Sequence, residues 1–169
     1  RSVSRGLGDV YKRQGLYNKE TTEQLTDELL SEDENKYHAF LILDVDCFKQ
    51  INDIYGHAVG DIVLQKFGKL LKGTFREGDI LGRIGGDEFG VIMKNIQTKD
   101  IAMKKAEELL AKTQAYKIDE LKGNNISISI GISTAPQDGD CYMDLYKRAD
   151  QALYQAKRSG KARVCNYFS

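Results

Sequence analysis

The sequence predicts a single α+β domain, with a mixed and mainly antiparallel central sheet flanked by helices. Three patterns carry that expectation. The apolar run Tyr37–Asp46 (YHAFLILDVD) ends abruptly in acids, as a buried strand does at the rim of a sheet. Two short strand-like runs, ILGRI and DEFGVIM, are separated by Gly85 and Gly86, the chemistry of a tight hairpin whose primed turn needs positive φ. From Ile126 to Ile132 (ISISIGI) apolar residues alternate with serine or glycine, so one strand face is apolar and the other small. Segments at helical spacing lie between these runs, and helices layered on a sheet are how such a set buries its apolar faces.

Taken in order, residues 1–14 (RSVSRGLGDVYKRQ) are basic and without apolar periodicity; they are expected to be a non-native or disordered leader, with the domain occupying 15–169. Lys19 to about Leu30 reads as a short amphipathic helix through Leu25, Leu29 and Leu30. After the first strand, Val63, Phe67, Leu70 and Leu71 mark a helix following Gly60, with Gly73 near its end. Asp100–Tyr116 carries Ala102, Ala106, Leu109 and Leu110 on one stripe. The last helix, Tyr142 to Lys157, buries Leu145, Ala149, Ala152 and Ala156, and RVCNYF closes the sheet as an edge strand. No repeat or low-complexity tract interrupts the chain.

Bulk charge is balanced, with 25 basic and 25 acidic residues, so no charged face advertises a nucleic acid or an acidic membrane. The longest apolar run, Ala39–Leu43, is too short to span a bilayer. Cys47, Cys141 and Cys165 are odd in number and share no metal-ligand spacing, which fits reduced thiols in the cytosol.

The acids carry the chemistry. Asp44 and Asp46 end the first strand, and Asp87 and Glu88 follow the Gly-Gly turn. Carboxylates bordering buried strands are costly unless paired or holding a cation. If the first strand neighbours the hairpin, Asp44 meets Asp87 and Glu88 at one rim. Clustered oxygen ligands without histidine or cysteine suit magnesium. Singly, each acid reads as a solvated turn residue; the set does not. The turn from Asp46 into the next helix exposes backbone N–H groups, an anion site beside Lys49.

These residues fall into a known pattern. IGGDEFG at Ile84–Gly90 resembles the signature of the GGDEF diguanylate cyclases, letter for letter across Gly85, Gly86, Asp87, Glu88 and Phe89. DVDCFKQINDIYGHAVGD at Asp44–Asp61 is similar to the family's D-x-D-x-F-K-x-I-N-D-x-x-G-H-x-x-G-D. ISIGIS at Ile128–Ser133 and RADQALYQAKRSGKARV at Arg148–Val164 follow in the family's order, so the resemblance runs from about Gly15 to the end.

The resemblance implies a palm-like nucleotidyl cyclase fold and the condensation of two GTP into cyclic di-GMP, with pyrophosphate released. It implies that Asp44, the Val45 carbonyl, Asp87 and Glu88 hold magnesium, with manganese as a substitute, and that Asp87 or Glu88 helps remove the ribose 3′-hydroxyl proton. Cys47, Phe48 and Lys49 would hold the β- and γ-phosphates through their backbone, Lys49 adding charge. Asn52 and Asp61 would read guanine, with His57 close by. Lys157 and Lys161 would contact phosphates, and Gly85 and Gly86 would let nucleotide approach the backbone. Arg76 and Asp79 form an R-x-x-D placed five residues before Gly85, where the family carries a product-inhibition site for cyclic di-GMP. Catalysis would need a transient homodimer, in the cytoplasm, within a larger sensor protein in the usual case, and with no contact of this domain to membrane or nucleic acid.

Two departures stand out. The family's opening D-x-L-T-G-L-x-N appears as Gly15-Leu16-Tyr17-Asn18 preceded by Tyr11-Lys12-Arg13-Gln14. The common A-K-R-x-G-R-N appears as Ala156–Ala162, where Lys161 keeps the charge but loses arginine's planar fork. The competing readings are a catalytically silent domain that binds GTP or cyclic di-GMP, and a different nucleotidyl cyclase or polymerase. Intact Asp44, Asp87 and Glu88 weigh against the first, and Asn52 with Asp61 against the second.

Overall fold

In the computed structural model, which describes residues 15–168, the apolar run forms β1 (His38–Val45) at the centre of a five-stranded sheet. The leader expected at 1–14 lies outside the described residues. All eight β1 residues are buried, because helices cover both faces of the sheet. β3 (Glu88–Met93) and β4 (Ile128–Ala135) flank β1 antiparallel, and β2 (Ile80–Arg83) pairs antiparallel with β3. β5 (Val164–Asn166) runs parallel to β4 at the edge, giving the order β2-β3-β1-β4-β5 and the mixed α+β architecture read from the sequence.

Alternation along β1 divides the core. Leu41, Leu43 and Val45 face one layer with Val63, Phe67 and Leu109; Phe40 and Ile42 face the other with Tyr142, Leu145 and Ala149. The first layer comprises α3 (His57–Thr74) and α4 (Lys99–Ala115), the second α1 (Lys19–Glu32) and α5 (Tyr142–Arg158). Phe67 meets Phe89 edge to face at 5.0 Å. Truncating such a buried phenylalanine to alanine costs about 3–5 kcal/mol.

Three local readings change. In α1 the most deeply buried face is threonine, not leucine: Thr22 and Thr26 are fully buried, their hydroxyls bonded back to the Asn18 and Thr22 carbonyls, while Leu25 and Leu29 are only partly covered. The cause is Gly82 of β2, where a Cβ would collide with Thr22; small residues on both sides let helix and strand approach closely. The helix expected after Gly60 begins at His57, preceded by a separate α2 (Phe48–Tyr55), with Gly56 at φ 90° breaking the two apart. Neither Gly85 nor Gly86 is in the left-handed region. The hairpin is instead a wider loop, closed by Ile84 N and Gly85 N donating to the Glu88 carbonyl at 2.9 and 3.1 Å. Space at Gly85 is tight, since a Cβ there would stand 3.1 Å from Glu88 Cβ.

The small face of β4 lies under α5. A Cβ at Gly131 would run into the Ala149 carbonyl and the Leu153 amide, and Ser133 Oγ donates to the Leu145 carbonyl at 2.7 Å. Helix α5 is therefore pressed directly onto the sheet. Among the described residues no helix is long and apolar enough to cross a membrane.

Candidate active site

Asp44 lies directly opposite Glu88 in the β1–β3 register, so the end of the central strand and the turn of the hairpin do meet at one rim. Asp44 shares its strand face with Ile42 and so points toward α5. That helix supplies two partners: Lys157, whose ammonium pairs with Asp44 Oδ2, and Tyr146, whose hydroxyl donates to Glu88 Oε1 at 2.8 Å. Asp87, in the turn, is near enough that it raises the Asp44 carboxyl.

Electrostatics mark this rim as strained. Burial raises the Asp44 carboxyl to about 6, with Lys157 opposing and Asp87 adding to the rise. Burial likewise raises Glu88, against the Tyr146 hydrogen bond and with help from Asp150 and Asp87. Burial works against the Lys157 ammonium, but the Asp44 bond and the charges of Asp44, Asp87 and Asp46 hold it above its ordinary value. Burial, then the Glu88 hydrogen bond, raises the Tyr146 phenol, which stays a protonated donor. Asp44 Oδ1 is buried with no hydrogen-bond partner. A buried carboxylate oxygen without a donor is a costly feature. A hard divalent cation would satisfy it, and the carboxylate oxygens of Asp44, of nearby Asp87 and of Glu88 opposite are donors of the kind magnesium or manganese takes.

Asp46, two residues on, has a different environment. Its carboxylate accepts from Ser127 Oγ, Ser129 Oγ at 2.7 Å and Ala162 N at 3.1 Å. It clamps the end of β1 to the turn after α5, where Lys161 and Ala162 are both left-handed at φ 62° and 51°.

The clamp stands beside the loop that leads from β1 into α2. Cys47 caps α2 in the left-handed region at φ 56° and offers no side-chain cap bond, so the first α2 amides are not closed off by their own cap. Phe48 packs against the core below, whereas Lys49 is exposed. The docked turn brings Lys161 Nζ to 3.2 Å from Cys47 Sγ, adding a second cation at the same loop. Asn52 lies against Gly60, where a Cβ would overlap its Oδ1, so the amide of α2 rests on the backbone of α3 at the residue before Asp61. Asp61 and His57 are exposed on the first turns of α3.

Arg76 and Asp79 lie at the opposite end of the hairpin from Asp87 and Glu88. Asp79 is fully engaged, accepting from Arg76 N at 3.2 Å, Arg76 Nη2 at 3.3 Å and Lys94 N at 3.1 Å, with its side chain 1% exposed. The carboxylate expected to meet guanine is thus buried in this arrangement and turned toward Arg76 and Lys94. Arg76 is 60% exposed and also donates to the Lys94 carbonyl at 2.5 Å.

Sequence reasoning missed Tyr146 and Asp150. Their signal was present: positions 146, 150 and 157 recur on one helical face, the face carrying Lys157.

With this geometry in view, comparison with known proteins is informative. Residues 14–163 match the family described as diguanylate cyclase, GGDEF domain. The chain is 40% identical over 127 residues to diguanylate cyclase A of Treponema denticola, covering 75% of this chain and 34% of that protein, so it spans about a third of that relative's length. The GGDEF domain of YfiN (TpbB) from Pseudomonas aeruginosa superposes with a TM-score of 0.86 at 32% identity, covering 91% of this chain and 98% of that one. The GGDEF domain of DgcB from Caulobacter crescentus, solved in complex with c-di-GMP, superposes with a TM-score of 0.83 at 25% identity, covering 91% and 90%.

Proposed function

Because the chain belongs to the diguanylate cyclase GGDEF domain family, we propose that it condenses two molecules of GTP into cyclic di-GMP and releases pyrophosphate. One observation carries this reading beyond kinship: the buried Asp44 Oδ1 has no partner, in a cluster of three acids restrained by one lysine. Such a cluster supports a site that holds a divalent cation beside phosphate, as the condensation requires.

Asp44, the Val45 carbonyl, Asp87 and Glu88 hold magnesium. When bound, the cation lowers the pKa of the ribose 3′-hydroxyl and offsets charge developing on the phosphate. Asn52 and Asp61 orient guanine, an amide and a carboxylate facing its donor-rich edge. The α2 amides after Cys47, with Lys49 and Lys161, grip the β- and γ-phosphates, and Lys157 stands between Asp44 and the triphosphate. Asp87 or Glu88 takes up the 3′-hydroxyl proton. The 3′-oxygen of one GTP forms a bond to the α-phosphorus of the second as the bond to pyrophosphate breaks; the reciprocal step closes the ring. Positioning and charge do the work. Each domain supplies one GTP, so two copies must meet face to face, a bimolecular event unless a tether raises their effective concentration. Feedback by cyclic di-GMP acts through Arg76, which Asp79 holds in place. The cytoplasm, where GTP is available, is the proposed site of action.

The test is purified chain with GTP and magnesium, read by mass for cyclic di-GMP over an enzyme-concentration series. Rate per molecule should rise with concentration. Absence of product at every concentration overturns the assignment; activity strictly proportional to protein, with only monomer by light scattering, overturns the two-copy mechanism.

A further inference from the structure

Glu88 is held from outside its own hairpin. The Tyr146 hydroxyl of α5 reaches Oε1 at 2.8 Å, and the ring bearing it is fixed by two aromatic neighbours. It lies 5.8 Å from Tyr142 at an interplanar angle of 30° and 6.4 Å from Phe40 at 58°, while Phe40 meets Tyr142 edge-on at 5.4 Å. Phe40 and Tyr142 are both buried. Aromatic packing of this kind limits the phenol's freedom to swing. Phe40 stands on β1 on the same face as Asp44, so the strand that presents Asp44 also seats the ring that aims at Glu88.

We propose that Tyr146 is a positioning residue for the acid pair of the active site: its hydroxyl ties one Glu88 oxygen to α5 and keeps the other turned toward cation and ribose. The assignment rests on the cyclase reading above. Glu88 lies opposite Asp44 across the strand pair and feels Asp150 and Asp87, two like charges that would turn its carboxylate away if nothing held it. A phenol suits the task because it donates a hydrogen bond without adding positive charge, and so does not compete with a cation as Lys157 does at Asp44. Outer-shell partners of this type commonly set metal affinity and activity by roughly ten- to a hundredfold.

Tyr146→Phe keeps the ring and removes only the oxygen. Binding of manganese, in the presence of a GTP analogue that cannot react at the α-phosphorus, is followed by electron paramagnetic resonance of the free ion. The expected result is affinity weakened roughly tenfold and kcat lowered by a similar factor, with KM for GTP and the melting temperature nearly unchanged. In a Glu88→Gln background the same substitution should leave manganese affinity where it was, because the oxygen being aimed is no longer a carboxylate. Unchanged manganese affinity and kcat in Tyr146→Phe, with a wild type that binds and turns over, would overturn the positioning role alone. So would a variant that loses thermal stability and raises KM as much as it lowers kcat, the signature of a merely structural contact. A wild type that fails to bind manganese with the analogue would remove the cyclase reading and this role with it.

Discussion

At one end of the β2–β3 hairpin, Asp79 is buried and accepts three N–H bonds, two of them from backbone. At the other end, Asp87 lies near Asp44 and Glu88 faces it across the strand pair, with one ammonium and one phenol among them and a buried Asp44 oxygen left without a donor. The same hairpin thus carries both kinds of buried carboxylate. Where backbone donors converge, the acid serves the fold; where acids outnumber donors, the site is built for something not in the chain. Asp46 and Asp44 repeat the contrast within two residues of one strand. Burial alone does not separate function from structure, because all of these side chains are largely covered; the donor count does.

The contrast breaks most visibly through activity. Asp87→Ala is expected to lower cyclic di-GMP synthesis by roughly a thousandfold, the scale of losing a main electrostatic contact to the transition state, while far-UV circular dichroism and melting temperature stay close to wild type. Near-normal turnover would place the cation elsewhere. At the other end, Asp79→Ala should leave turnover per folded molecule nearly intact yet destabilise the fold by about 2–4 kcal/mol, since Arg76 N and Lys94 N lose their acceptor. Urea titration of the two variants together measures the asymmetry.

A third test uses pH. Asp44 ionises at about 6 when folded, against 3.8 in the unfolded chain. Between those values the folded state holds the extra proton, so stability rises as pH falls through about 6 and declines as pH rises. Metal-free protein should gain about 1 kcal/mol on going from pH 7 to pH 5, measured by urea unfolding, and Asp44→Asn should flatten that gain. The smallest effect is at Arg76, whose own side chain is 60% exposed and whose removal leaves buried Asp79 with its two backbone donors. Arg76→Ala should cost less than about 1 kcal/mol of stability but release inhibition by added cyclic di-GMP; equal inhibition of variant and wild type would end the feedback role.

Most elements were legible in the sequence because apolar periodicity reports which residues are covered. The strand ending in Asp44, the ISISIGI alternation and the α5 stripe were all readable in that way, and so was the meeting of Asp44 with Glu88. What escaped were facts of apposition. Thr22 looks like a surface residue until Gly82 is seen beneath it. Gly85 and Gly86 suggested a primed turn, whereas the loop closes on the Glu88 carbonyl and is tight at Gly85, without positive φ at either glycine. Asp79 looked free for a ligand because no pattern in sequence reveals that Lys94, from the far strand, donates to it. Tyr146 shares a helical face with Lys157, which the sequence does carry, but its bond to Glu88 shows only once α5 lies on the sheet.

Gly131, where α5 touches β4, has a wider implication. Tyr146 and Lys157 ride on one rigid rod, while Asp44 and Glu88 ride on the sheet below it, so the gap between rod and sheet is a single dial for both contacts. One missing methyl group sets that dial. Any larger residue at position 131 would lift the rod and detune both reactive pairs at once, although it touches neither. The calibration of this chemistry is therefore stored partly at a position that has no chemistry of its own.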